Sequence, residues 1–425
     1  MFRFSKHRLK NGLRVILVPQ DTPAVTAQIL VGVGSKYESK KLNGIAHVLE
    51  HMVFKGTKNW PTAQAISEAV DSVGGKMNAF TGKELTGYWV KTTVQHVDLA
   101  LKIVADLYQK PLLRAADLNK EKGVILQEIA MYEDLPMQKV EDVLEKLLYG
   151  DQAAGRPIIG RPENIISFQA SDLKAFRRRH YLPSRTVLTV AGRFKPEKIL
   201  ALIEELFLGQ RSRQRAPQRP GVKINQTAPA LAIEKKETDQ THFILGFHAV
   251  NRFNPRKYPL SLLATILGGG MSSRLFTRIR EKEGLAYYIR ANNDVNQDTG
   301  VLSIAAGVAH ENLPKVISLI LAELRKIKKK PVSARELRKA KEKMRGEIIM
   351  GLETAQSQAS FLGQRELFYR SLVAPEEILA KYEKVTATEI QKEAEKIFRE
   401  DNLNLAIVGP QSQEKIKAIL GRQKI

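Results

Sequence analysis

Apolar residues along this chain recur in two rhythms that succeed one another in each half. Leu13–Val18, Val25–Gly34, Thr186–Ala191 and Gln240–Ala249 are short runs rich in aliphatic and β-branched residues, the pattern of strands buried in a sheet. Elsewhere the apolar positions fall three and four apart and predict helices. Ile45, Val48, Leu49 and Met52 share one helical face, Leu118–Asp134 forms a longer helix that Leu135 and Pro136 end, and Leu260–Leu267 forms another. For the first of these, Asn43 is the expected N-cap and Gly56 the left-handed stop. Strand runs mixed with long helices, without a regular βαβ alternation, predict an α+β chain of mainly antiparallel sheets with packed helices.

With 425 residues, 43% of them hydrophobic, the chain exceeds one ordinary core and predicts at least two domains. Residues 209–226, GQRSRQRAPQRPGVKINQ, are basic, contain Pro and Gly and nearly lack apolar side chains, so they read as an exposed linker between 1–208 and 227–425. The strand run at Val25–Gly34 and that at Gln240–Ala249, each followed by a helix, are offset by about half the chain and suggest an internal repeat.

The absence of cysteine excludes disulfides, cysteine-ligated clusters and thiol nucleophiles, leaving His and carboxylate as the strong ligands. The amino terminus has no apolar signal region, and no apolar run reaches membrane-spanning length, so a cytoplasmic location without a membrane span is expected. A net charge of +23 raises the possibility of nucleic-acid binding. However, the basic stretch Arg325–Arg345 mixes acids and Ala at helical spacing without an aromatic residue for base stacking, so a solvated helix surface is expected and no nucleic-acid partner. Gly268–Gly270 is followed by no Lys-Ser or Lys-Thr and completes no G-x-G-x-x-G, which argues against a phosphate loop.

Among the eight histidines, His47 and His51 alone have ligand spacing. Four positions apart on a helix, both can aim a ring nitrogen at one metal ion, with Glu50 projecting beside them. H-x-x-E-H reverses the commoner H-E-x-x-H and is the inverzincin signature. A catalytic zinc site usually takes a third protein ligand. Leu118–Asp134 aligns Glu121, Val124, Glu128 and Tyr132 on one stripe beside the apolar Ile125, Ile129 and Met131; the acids either serve a cation or form a solvated face.

GIAHVLEHMVFKGT (Gly44–Thr57), with LKNGLRVILVP before it and NAFTGKELTGYWV (Asn78–Val90) after it, resembles the pitrilysin-type (M16) zinc metallopeptidases, in the subgroup of the mitochondrial processing peptidase and its short bacterial homologues. The resemblance implies His47, His51 and Glu128 as ligands of one Zn2+ per chain, Glu50 as general base and Glu121 as a supporting carboxylate. GGGMSSRLFTRIREKEGLAYYIRA (Gly268–Ala291) resembles the family's second-half motif, which implies active-site roles for Arg280 and Tyr287: a phenol can stabilise an oxyanion and a guanidinium can orient substrate carbonyls. Met77–Thr81 resembles the active-site edge strand, implying that Asn78, Ala79, Phe80 and Thr81 bind extended peptide by backbone hydrogen bonds. The family is built from two similar halves, the second without metal ligands, and no H-x-x-E-H follows Gln226 here.

The expected function is therefore that of a zinc-dependent endopeptidase acting on extended peptides inside a clam-shell chamber, with Glu50 activating water at the metal. Four such domains enclose the chamber in long single-chain members, so a two-domain chain implies a homodimer in which Arg280 and Tyr287 of one subunit face the zinc of the other. The alternative is a noncatalytic structural or partner-dependent subunit like some processing-peptidase relatives and respiratory core proteins. Gln152 and Ala153 stand where relatives often carry His-Pro, which bears on local packing.

Overall fold

A computed structural model describes residues 3–208, 217–219 and 221–421. Half of the expected linker, residues 209–216 and 220, lies outside them. The apolar runs become strands. β1 (Ser5–Arg8), β2 (Arg14–Pro19), β3 (Ala24–Val31), β4 (Lys76–Thr81), β5 (Thr86–Thr93) and β6 (Thr186–Gly192) form a six-stranded sheet ordered β1-β2-β6-β3-β5-β4. β7 (Ala230–Glu234), β8 (Thr241–Ala249), β9 (Ala286–Val295), β10 (Gly300–Val308) and β11 (Leu403–Val408) form a second sheet ordered β7-β11-β8-β10-β9.

Among the described residues, only β2 with β6, and β7 with β11, run parallel; every other neighbouring pair is antiparallel. The pattern β2-β6-β3-β5-β4 therefore recurs strand for strand as β7-β11-β8-β10-β9, down to the place of its one parallel pair. The repeat suggested by two sequence runs is a repeat of whole sheet topology, and the class is α+β with two similar domains.

Compact packing does not follow contiguous halves. One unit comprises Met1–Ile129, Pro157–Pro220 and Ile348–Pro375; the other comprises Ala130–Arg156, Gly221–Glu347 and Glu376–Ile425. The boundary expected at 209–226 is thus crossed in both directions, each time by a helix.

In the first unit, β3 alternates as a strand between two layers must. Val25, Ala27, Ile29 and Val31 face a core shared with Ile45, Val48, Leu49 and Met52 and with the helix Val97–Gln109. The opposite face is covered by the helix Ala355–Tyr369, whose Ala355, Ala359 and Leu362 pack against Ile16, Val18, Val187 and Ala191. Gly363 permits close approach there, since a Cβ would lie 2.8 Å from Leu30 Cδ1. Glu366, fully buried on this helix, receives Lys6 at 2.7 Å and Arg14 at 3.3 Å.

In the second unit, Phe243, Leu245 and Phe247 of β8 pack with the helices Lys257–Gly268 and Leu313–Lys329. The helix Pro136–Tyr149 covers the other face with Val140, Leu144 and Leu148 against Ile244, Ala406 and Val408. Gln152 secures its C-terminal loop by exchanging hydrogen bonds with the Lys223 backbone at 2.8 and 2.9 Å. The basic stretch Arg325–Arg345 is split between Leu313–Lys329 and the helix Ala334–Met350, which buries only Ala340. Among the described residues, no helix is long and apolar enough to cross a membrane.

Candidate metal centre

The motif helix runs from Ile45 to Val53, burying Ile45, Ala46, Val48, Leu49, Met52 and Val53 and leaving His47, Glu50 and His51 half-buried on the remaining face. Its N-terminus corrects the expected cap. Asn43 is spent on bonds to Glu38 Oε2 (3.0 Å) and the Pro157 carbonyl (2.9 Å), while the Glu38 carboxylate accepts from Gly44 N at 2.8 Å and Ala46 N at 2.9 Å. An anionic cap also suits the positive end of the helix dipole. Gly44, at φ +100°, must be glycine, because a Cβ would stand 2.8 Å from Gly160 Cα. Gly56 does not stop the helix either: Phe54 caps it, and Gly56 (φ +142°) allows the chain to pass the Pro61 carbonyl, which a Cβ would approach to 2.3 Å.

The second helix spans Ala115–Glu133. Its Ile125 and Ile129 are buried, whereas Val124, Met131 and Tyr132 are exposed. The acids of the stripe turn toward the motif helix, Glu121 buried and Glu128 half-buried. Glu128 Oε2 lies 3.3 Å from His51 Nε2 and 3.8 Å from His47 Nε2, and one ligand atom each of His47, His51 and Glu128 falls within 4.8 Å of the others. The imidazole rings meet edge to face with centroids 4.6 Å apart. Glu121, buried, takes His51 Nδ1 at 2.9 Å on one oxygen and Lys55 Nζ at 2.5 Å on the other. His51 therefore donates from Nδ1 and keeps Nε2 directed to the same point as Glu128, the arrangement by which an outer carboxylate orients a metal-binding imidazole.

The electrostatics match. Burial, reinforced by His51 and opposed by Glu128, pushes His47 down to about 4, so its ring is neutral near pH 7 and offers a lone pair. Burial works the same way on His51, but the hydrogen bonds to Glu121 and Glu128 override it and raise that ring to about 9. Glu128 is held below the usual carboxylate range chiefly by its hydrogen bond to His51; Glu121 is too, against its burial, by His51 and Lys55. The two carboxylates thus favour positive charge where the imidazoles point. Two imidazoles and one carboxylate form a donor set that suits zinc and leaves a coordination position open.

Glu50 stands apart from the three donors. Burial raises its carboxyl above the ordinary range, partly offset by a hydrogen bond from Thr81. Of the expected edge strand, Asn78, Ala79, Phe80 and Thr81 all lie on β4, which ends its sheet and, among the described residues, pairs only with β5. Arg280 and Tyr287 belong to the second unit and are exposed. Arg280 sits in a π-helical turn (Phe276–Lys282) with its guanidinium 4.8 Å from the Phe276 ring centroid, and Tyr287 sits on β9, the outermost strand there. Sequence reasoning missed Glu38, Lys55 and the Thr81–Glu50 bond. Lys55 carried a signal, being one turn beyond His51; the others required the fold.

An α+β fold presenting an H-x-x-E-H helix and a distant glutamate to one point defines a zinc-protease-like class. The family profile "Insulinase (Peptidase family M16)" matches residues 14–161, and "Peptidase M16 inactive domain" matches 167–344. Uncharacterized zinc protease YmxG of Bacillus subtilis is 34% identical over 406 residues, 95% of this chain and 98% of its own. An uncharacterized zinc protease of Mycobacterium leprae is 37% identical over 412 residues, covering 96% and 92%. Among solved structures, a protease from Helicobacter pylori superposes with a TM-score of 0.90 at 25% identity, over 96% of this chain and 100% of that one. A Pseudomonas fluorescens structure described as a peptidase M16 inactive domain shares the fold, with a TM-score of 0.86 at 20% identity over 96% and 98%. The chain belongs to peptidase family M16.

Proposed function

We propose that this protein is a zinc-dependent endopeptidase that hydrolyses extended peptides, with His47, His51 and Glu128 holding one zinc ion. The observation that carries this reading is the convergence of those three donors beside an independent carboxylate, Glu50. When bound, zinc supplies a Lewis acid that polarises the scissile carbonyl and acidifies water. Glu50 takes a proton from the attacking water and passes it to the leaving amine. The free edge of β4 at Asn78–Thr81 receives the substrate as an added strand, which reads backbone more than side chains and favours broad specificity. Tyr287 donates to the developing oxyanion and Arg280 orients the substrate carbonyl, both reaching the zinc of a partner subunit in a homodimer.

A second reading, a noncatalytic or partner-dependent subunit, draws on the "inactive domain" description. That profile covers the half without the H-x-x-E-H helix, and the other half retains the full donor set and Glu50. The test is hydrolysis of a mixed set of quenched peptides before and after chelator treatment. Cleavage that disappears with the metal and returns with one equivalent of zinc per chain supports the endopeptidase. Absence of cleavage at full zinc loading supports the second reading.

A further inference from the structure

Glu50 has two carboxylate oxygens, and the fold treats them differently. Oε2 accepts a hydrogen bond from Thr81 Oγ1 at 2.5 Å, whereas Oε1 has no hydrogen-bond partner among the described residues. Thr81 is the last residue of β4, opposite Thr86 on β5, and the turn that follows it is clamped. Gly82 N donates to Leu85 O, Ser35 N donates to Gly82 O at 3.1 Å, and Lys36 N donates to Lys83 O at 2.9 Å. Beneath the turn, Lys36 and Glu84 form an ion pair at 2.9 Å, with side chains only 2% and 3% exposed. A buried pair of this kind resists displacement because separating it leaves an uncompensated charge. The hydroxyl of Thr81 is therefore fixed by a short, well-anchored hairpin, and it fixes Glu50 in turn.

We infer that Thr81 is a positioning residue for the hydrolytic step: its hydroxyl pins one oxygen of Glu50 so that the other is aimed at the attacking water. The inference rests on the reading of Glu50 as the proton acceptor. The backbone of the same strand serves a separate purpose, since main-chain groups on the free edge of β4 would pair with substrate whatever the Thr81 side chain. Loss of the hydroxyl leaves Glu50 free to rotate about its side-chain torsions, so it spends less time in the productive geometry. Substrate binding is untouched. Side chain and backbone at one residue thus divide between rate and affinity, and steady-state kinetics can separate them.

The experiment uses the full chain at one zinc per chain, with wild type, Thr81→Val and Thr81→Ser assayed on a quenched peptide that wild type cleaves. Valine keeps the shape and β-branching without the hydroxyl; serine keeps the hydroxyl. A hydrogen bond to a charged group is worth enough for kcat of Thr81→Val to fall by about ten- to a hundredfold. KM should stay within about twofold, zinc affinity measured with a competing chelator should be unchanged, and Thr81→Ser should recover most of the lost kcat. The inference is overturned if Thr81→Val keeps wild-type kcat, if it raises KM at constant kcat, or if serine restores nothing. Wild type that cleaves no peptide at full zinc loading removes the role of Glu50 itself, and this inference with it.

Discussion

Replacing Glu121 by glutamine keeps the shape of a side chain that holds His51 from behind without joining the group formed by His47, His51 and Glu128. The amide oxygen can still accept from His51 Nδ1, but the negative charge behind the imidazole is gone and Lys55 loses its partner. The size of the loss follows from His51. Its rise to about 9 expresses a net preference of about 3 kcal/mol for positive charge on that ring, produced by Glu121 and Glu128 together against burial. Removing one of the two carboxylates should cost about 1–3 kcal/mol of zinc binding, roughly a ten- to hundredfold weaker Kd. Competition against a chromophoric chelator measures this directly on wild type and Glu121→Gln. An unchanged Kd would show that His51 is oriented without Glu121. A loss beyond about ten-thousandfold would mean that Glu121 ligates the metal itself, and either result would refute the division of labour between the two glutamates.

Three further outcomes are expected. Glu366→Leu leaves Arg14 buried without its carboxylate and should destabilise the protein by about 3–5 kcal/mol in urea unfolding followed by circular dichroism; a change under 1 kcal/mol would contradict it. His180, pushed down to about 4 by burial and by Arg185 and Arg179, is protonated more readily in the unfolded chain, whose imidazole titrates near 6.5. Stability should therefore fall as pH falls through that window, by about 1–2 kcal/mol between about pH 7 and about pH 5, and His180→Phe should flatten that part of the profile; identical profiles would contradict it. Mixed dimers of Glu50→Gln and Tyr287→Phe subunits should regain activity that neither variant has alone, and verified mixed dimers without activity would count against sites completed in trans.

How much could be read before the fold was in hand depended on how local each feature is. His47, Glu50 and His51 were legible because three residues within five positions on one helix are related by helical geometry alone. Glu128 was reached through the family resemblance, and its own helix left a solvated face equally open until His47 and His51 were seen against it. The cap was misread because Asn43 is the right residue type in the right place, yet a turn returns Glu38 to the helix end and Asn43 holds that carboxylate. Amphipathic patterns revealed that Pro136–Tyr149 and Ala355–Tyr369 bury a face without saying which sheet receives it, so a cut at the linker missed that each packs on the sheet formed largely by the opposite half. The Thr81–Glu50 bond joins a strand end to a helix thirty-one residues away, and nothing in either segment announces it.

The most direct test of the account compares wild type with Glu50→Gln, each carrying one zinc per chain, on the same mixed peptide set. The account predicts that wild type cleaves while the variant binds zinc with similar affinity and loses cleavage by at least about a hundredfold. A variant that cleaves as well as wild type would contradict the role assigned to Glu50, and a fully zinc-loaded dimeric wild type that cleaves nothing would contradict the endopeptidase itself.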